Sequence, residues 1–122
     1  MHDAPSQKEM IEAVKAFIDG TAMPALSGHA AFHARVASNV LATVLREMDL
    51  RPAAESAERK RLAELLGMDG DADTEALNQA LCERLRSGEM DLSTPGLLDH
   101  LKTTTIAQLS VDQPGYSGLR GA

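Results

Sequence analysis

The sequence is short of aromatic residues, cysteine, long apolar runs and positive charge, and each shortage excludes something. It has no tryptophan, and Phe17, Phe32 and Tyr116 are its only aromatic side chains in 122 residues. A chain of this length can bury roughly two-thirds of its unfolded surface, but the core must come from Leu, Ala, Val, Met and Ile. Aliphatic cores rich in alanine suit closely packed helices. Cys82 is the single cysteine, so no intrachain disulfide can form and the framework of a small secreted scaffold is excluded. No stretch of about 18 apolar residues occurs, and the opening residues Met1 to Pro5 carry no basic region followed by an apolar one. A cytoplasmic location is the expectation. No run alternates apolar and polar residues over the length of a strand, so no strand is expected. A formal net charge of −6 argues against a nucleic-acid partner, which needs clustered Lys and Arg. The short cluster Arg59, Lys60, Arg61 is diluted by Glu55, Glu58 and Glu64 and reads as a solvated helix face.

What remains is helical periodicity with clear punctuation. Ser6 followed by Glu9 forms a capping box, and Met10, Val14, Phe17 and Ile18 make the stripe of a first helix that Gly20 and Pro24 close. A second helix is expected from Gly28 to about Asp49. Its apolar arc of Phe32, Val36, Ala37, Val40, Leu41, Val44, Leu45 and Met48 covers more than half the circumference, which places it at the centre. Pro52 suits the first turn of a third helix that carries Ala54, Ala57, Leu62, Leu65 and Leu66 to Gly67. The acidic loop Gly67 to Asp73 leads to a fourth helix, capped by Asp73 or Thr74, buried through Leu77, Ala80, Leu81 and Leu85, and ended by Gly88. Thr94 before Pro95 reads as the start of a fifth, burying Leu97, Leu98, Leu101, Thr105 and Leu109. Pro114, Gly115, Gly118 and Gly121 then forbid helix. The expected fold is all-α: a five-helix bundle around the second helix over residues 1–111, with an irregular tail at 112–122.

Candidate chemistry is sparse. His29 and His33 have the i, i+4 spacing of paired metal ligands, but no third ligand lies near: Ala30 stands where a zinc-protease glutamate would be, and Glu47 is about 21 Å further along the helix. They are rejected as a metal site and expected to pack at the edge of the apolar arc. Cys82 would act as a nucleophile only if His100 and an orienting acid approached it; otherwise it is a small hydrophobe. Asp99 and His100 project about 100° apart and make no dyad. Asp69, Gly70, Asp71 and Asp73 resemble a calcium loop, but the twelfth position from Asp69 is Ala80, so helix capping is the expected role. No catalytic residue, cofactor or metal is expected. The exception to the bland pattern is Arg35, Asn39, Thr43 and Arg46, a polar stripe on the helix expected to be most buried. Either the arginines pair with neighbouring carboxylates, or the stripe lines a groove for an anionic ligand or a protein partner.

The run AFHARVASNVLATVLRE from Ala31 to Glu47, with the later LSTPGLLDHL and the ending IAQLSVDQPGY, resembles a family of small bacterial helical proteins that carry a domain of unknown function. The matching positions are Phe32, Arg35, Val36, Asn39 and Leu41, then Leu92, Pro95 and Leu98, then Gln108, Leu109, Asp112, Pro114 and Tyr116. The resemblance spans nearly the whole chain. Genes of that family tend to lie beside those for an aminoglycoside-phosphotransferase-like kinase and acyl-CoA dehydrogenases, which implies an accessory role near acyl-CoA catabolism with one of these enzymes as partner. It implies no chemistry and transfers no functional residue. Tyr116 is expected to fold back over the bundle, with Asp112 available to Arg35 or Arg46. The leading expectation is a non-enzymatic accessory or interaction protein, without nucleic-acid or membrane partners and with homodimerisation through an exposed helix face. The alternative is a binder of an anionic or acyl-CoA-like ligand.

Overall fold

The computed structural model describes residues 3–122. Met1 and His2, which open the segment read for a leader, lie outside the described residues. The described chain is helical without a strand, and its four main helices are α1 (Gln7–Phe17), α2 (Gly28–Leu66), α3 (Thr74–Ser87) and α4 (Leu97–Asp112). None is long and apolar enough to cross a membrane. Contacts divide the chain into two compact units, Met1–Asp49 and Leu50–Ala122.

The count of five helices is corrected to four, because the expected second and third are one. α2 runs unbroken for 39 residues with Pro52 inside it. A proline in a helix forfeits one N–H bond and crowds the carbonyl four residues earlier, at a cost of about 3 kcal/mol. Ala53, Ala54, Glu55, Ala57 and Glu58 are good helix formers on its C-terminal side, and Arg51 reaches Glu55 across it at 3.6 Å. Helix therefore continues where a start was expected. The unit boundary falls within the same turn as this proline.

In the first unit, Ser6 Oγ accepts from the Glu9 amide at 3.2 Å while Glu9 accepts from the Ser6 amide at 2.6 Å, which completes the capping box. Gly20 does not stop the chain: Ile18–Ala22 continues α1 as a π-helical segment, followed by the single turn Met23–Ala25 that holds Pro24. Lys8 Nζ binds both carboxylate oxygens of Asp49, at 2.8 and 3.0 Å. Ser38 Oγ donates to Asp19, which also accepts from Lys15 at 2.6 Å. Lys15 first, then Ser38, hold the Asp19 carboxyl below the usual carboxylate range. Ser38 is the one fully buried residue described in this unit, and no apolar side chain there is fully buried.

The second unit holds the core. Leu62, Ala63 and Leu66 of α2, Leu77 and Leu81 of α3, Met90 of the connection and Leu97 of α4 form one buried cluster, with Leu65, Ala72 and Ala80 packed on it. Gly67, at φ 63°, takes the left-handed conformation that ends α2 and lets the Met68 amide reach back to the Ala63 carbonyl at 2.9 Å. Asp73 caps α3 by accepting from the Ala76 amide at 2.7 Å, and Gly88 ends it in the left-handed conformation. The start of α4 differs from expectation. The Thr94 hydroxyl accepts from the Asp91 amide at 3.0 Å, so it is committed to the preceding turn. The helix opens three residues later, after Gly96 at φ 85°. Its inward face is accordingly Leu97, His100 and Val111, while Leu98 and Leu101 are exposed. Tyr116 is half exposed, and its ring lies against Gly118 of a short 3-10 turn, Ser117–Gly121. Asp112 accepts from Gln108 at 2.7 Å.

Leu62→Ala and Leu77→Ala, which empty fully buried sites, are expected to lower stability by about 2–5 kcal/mol. Leu98→Ala, at an exposed site, should stay within about 0.5 kcal/mol. Urea titration followed by circular dichroism measures all three.

Candidate functional site

The helix expected at the centre leaves much of its apolar arc exposed in the first unit. Phe32, Val36 and Val40 of α2 are 59%, 43% and 55% exposed, and Met10, Val14 and Phe17 of α1 are 49%, 53% and 59% exposed. The arc of α2 is apolar as expected, but it covers more of the circumference than one short neighbour can bury. The two bridging contacts fix why. Lys8 meets Asp49 and Asp19 meets Ser38, with eleven residues separating each pair on both helices, so α1 runs antiparallel to α2. The face of α2 turned to α1 is the one bearing Ser38 and Asp49. At 100° per residue, Phe32, Val36 and Val40 lie on the opposite side. Isolated exposed hydrophobes are ordinary, whereas these six are grouped on one small unit.

The polar stripe is a surface feature, not a buried one. Arg35 and Asn39 are exposed, and Thr43 and Arg46 are half-buried. Arg46 donates to Thr43 Oγ1 at 3.0 Å, and Thr43 Oγ1 donates to the Asn39 carbonyl at 3.1 Å, so these three form a local chain. Arg35 has no side-chain ion pair or hydrogen bond among the described residues. His29 and His33 both begin α2 on its exposed side, with the His33 ring edge-to-face against Phe32 at 5.6 Å. Among the described residues no group of three or more His, Cys, Asp or Glu side chains is placed to hold a metal.

In the second unit, Cys82 is exposed and His100 is buried, with no hydrogen bond between them. Cys82 borders a cleft of about 460 Å³ together with Glu75, Asn78, Gln79, Glu83 and Arg86. All six belong to α3, so no second element converges on the cleft with a complementary group. The acidic loop caps as expected: Asp69 accepts from the Asp71 amide at 3.0 Å, and Asp73 begins α3.

Sequence reasoning missed one polar cluster. Arg61, read as solvated with Arg59 and Lys60, is half-buried and donates to Thr104 of α4 at 3.2 Å. Glu58 accepts from Asn78 of α3 at 3.3 Å. His100 is 4% exposed, and its Nδ1, like Arg61 Nε, is buried without a partner. Only the tertiary fold brings these residues together, so no local signal could have found them. Burial, then the nearby Arg61 charge, pushes the His100 pKa below its ordinary 6.5, against a smaller opposing pull from Glu58.

Because folding lowers this pKa, the unfolded chain takes up the proton first as pH falls below about 6.5, and stability drops through that window. Thermal melting should therefore give a lower Tm near pH 5 than near pH 7.5, and His100→Leu should flatten that slope.

No curated protein and no solved structure matches the chain. A family match covers residues 24–116, from the turn before α2 to Tyr116, and so takes in the exposed stripe, the polar stripe and the buried core. The chain belongs to the family defined by the domain of unknown function DUF6285.

Proposed function

We propose that this chain is a non-enzymatic accessory protein, acting in the cytoplasm by presenting the apolar surface of its first unit to a protein partner. The observation that carries the reading is the mismatch within that unit: six large apolar side chains of α1 and α2 stand 43–59% exposed, while none is fully buried. Surface of that kind stabilises a fold only when something covers it. The link to acyl-CoA metabolism rests on the resemblance, whose relatives are encoded near an aminoglycoside-phosphotransferase-like kinase and acyl-CoA dehydrogenases. One of those enzymes is the proposed partner. The net charge of −6 favours neither nucleic acid nor an anionic membrane as an alternative.

A second reading is favoured by Arg35, exposed without an ion pair beside the Asn39, Thr43 and Arg46 chain. A guanidinium fork there suits a phosphate or carboxylate, as in an acyl-CoA ester.

Co-expression with each enzyme tests the first reading. Co-purification that is lost on Phe17→Glu or Val14→Glu, with helix content unchanged, is the expected result; no association with either enzyme at micromolar concentration removes it. Calorimetric titration with coenzyme A esters tests the second, which requires heat of binding that Arg35→Ala abolishes.

A further inference from the structure

We propose that the exposed stripe of α2 pairs antiparallel with the same stripe of a second copy of this chain, about a two-fold axis level with Ser38. The proposal rests on the interaction reading above and names the occupant of one part of that surface, leaving Met10, Val14 and Phe17 of α1 to another partner.

The spacing along α2 carries it. His29, His33, Val36, Val40, Thr43 and Glu47 follow one another at intervals of four, three, four, three and four, the repeat of a helix-pairing seam. At 100° per residue they fall within about 80° of one another, on the side opposite Ser38. The series reads the same in both directions about its midpoint. An antiparallel copy centred there sets Val36 against Val40, His33 against Thr43 and His29 against Glu47, with Phe32 and Val44 on the two flanks of the seam. A two-fold interface must be self-complementary in this way.

The chemistry agrees with the register. The centre of the seam is apolar and holds no charged residue, so two copies of a chain of net charge −6 meet there without like charges. Its ends differ in kind: the His29 imidazole at one, the Glu47 carboxylate at the other, each about 14 Å from the midpoint. Reversal brings the imidazole of one copy to the carboxylate of the next at both ends. The first unit also has a reason to associate, since its only fully buried described residue is the polar Ser38. Pairing supplies the apolar contact that the unit lacks by itself.

Sedimentation equilibrium of the full chain over a concentration series is expected to show a monomer–dimer equilibrium. Val40→Glu sets a carboxylate against Val36 at both crossings and should weaken the dimer on the order of 100-fold. Val40 is 55% exposed, so unchanged circular dichroism will show that the variant still folds. His29→Asp places like charges at both ends and should weaken the dimer about fivefold, and adding Glu47→Lys to it should restore the wild-type constant. A wild type that stays monomeric, a dimer indifferent to Val40→Glu, or a double variant no better than His29→Asp overturns the proposal. The broader interaction reading fails separately, through the α1 variants and the enzyme co-purification.

Discussion

Leu62, Leu77 and Leu97, one from each of three helices, are the large side chains among the described residues with essentially no exposed surface, and the rest of the molecule depends on their packing. Their contact sets where α2 ends, because Leu66 must reach the same cluster before Gly67 turns the chain. It sets which face of α4 points inward, and so buries His100 in place of Leu98 or Leu101. It also decides what is left over. All the fully buried apolar residues described lie beyond position 61, whereas in the first unit α1 and α2 are bridged by the Lys8–Asp49 pair, and the turn after α1 by the Ser38–Asp19 bond. Exposed ion pairs of the Lys8–Asp49 kind contribute about 0–1 kcal/mol, too little to replace a core.

That asymmetry is the basis for reading function. The proposal of association rests on the exposed apolar side chains of the first unit. The one buried titratable cluster described, around Arg61 and His100, lies in the stabilising unit and lacks a nucleophile. The polar stripe of Arg35, Asn39, Thr43 and Arg46 sits beside the apolar stripe on the same helix, so a partner docking there would meet both.

Features fixed by near neighbours along the chain are legible in the sequence alone. The capping box of Ser6 and Glu9, the Asp73 cap and the Gly88 stop each need only a few consecutive residues, and each forms. Where two local rules compete, context decides between them. Pro52 suits a first turn best, yet the helix formers that follow it carry it as a helix interior, and the Thr94 hydroxyl can cap α4 or serve the Asp91 amide. The all-α class follows from periodicity, but the number of helices turns on that single proline. Burial is the least legible quantity, because the apolar arc of α2 states what the helix needs and not what covers it. The candidate site suffers from the same gap: the polar stripe is evident from spacing, its exposure is not. Arg61 and His100 lie far apart in sequence, and nothing local to either announces the other.

If the first half of α2 is completed by another molecule while the second unit is complete alone, the two must respond differently to protein concentration. Hydrogen–deuterium exchange of the full chain, followed over a concentration series, tests this most directly, since association slows the opening of the helices it involves. Amides of residues 28–49 are expected to gain protection as concentration rises, while those of α3 and α4 keep the same rates. Protection of residues 28–49 that is already high at the lowest concentration and does not change would contradict it.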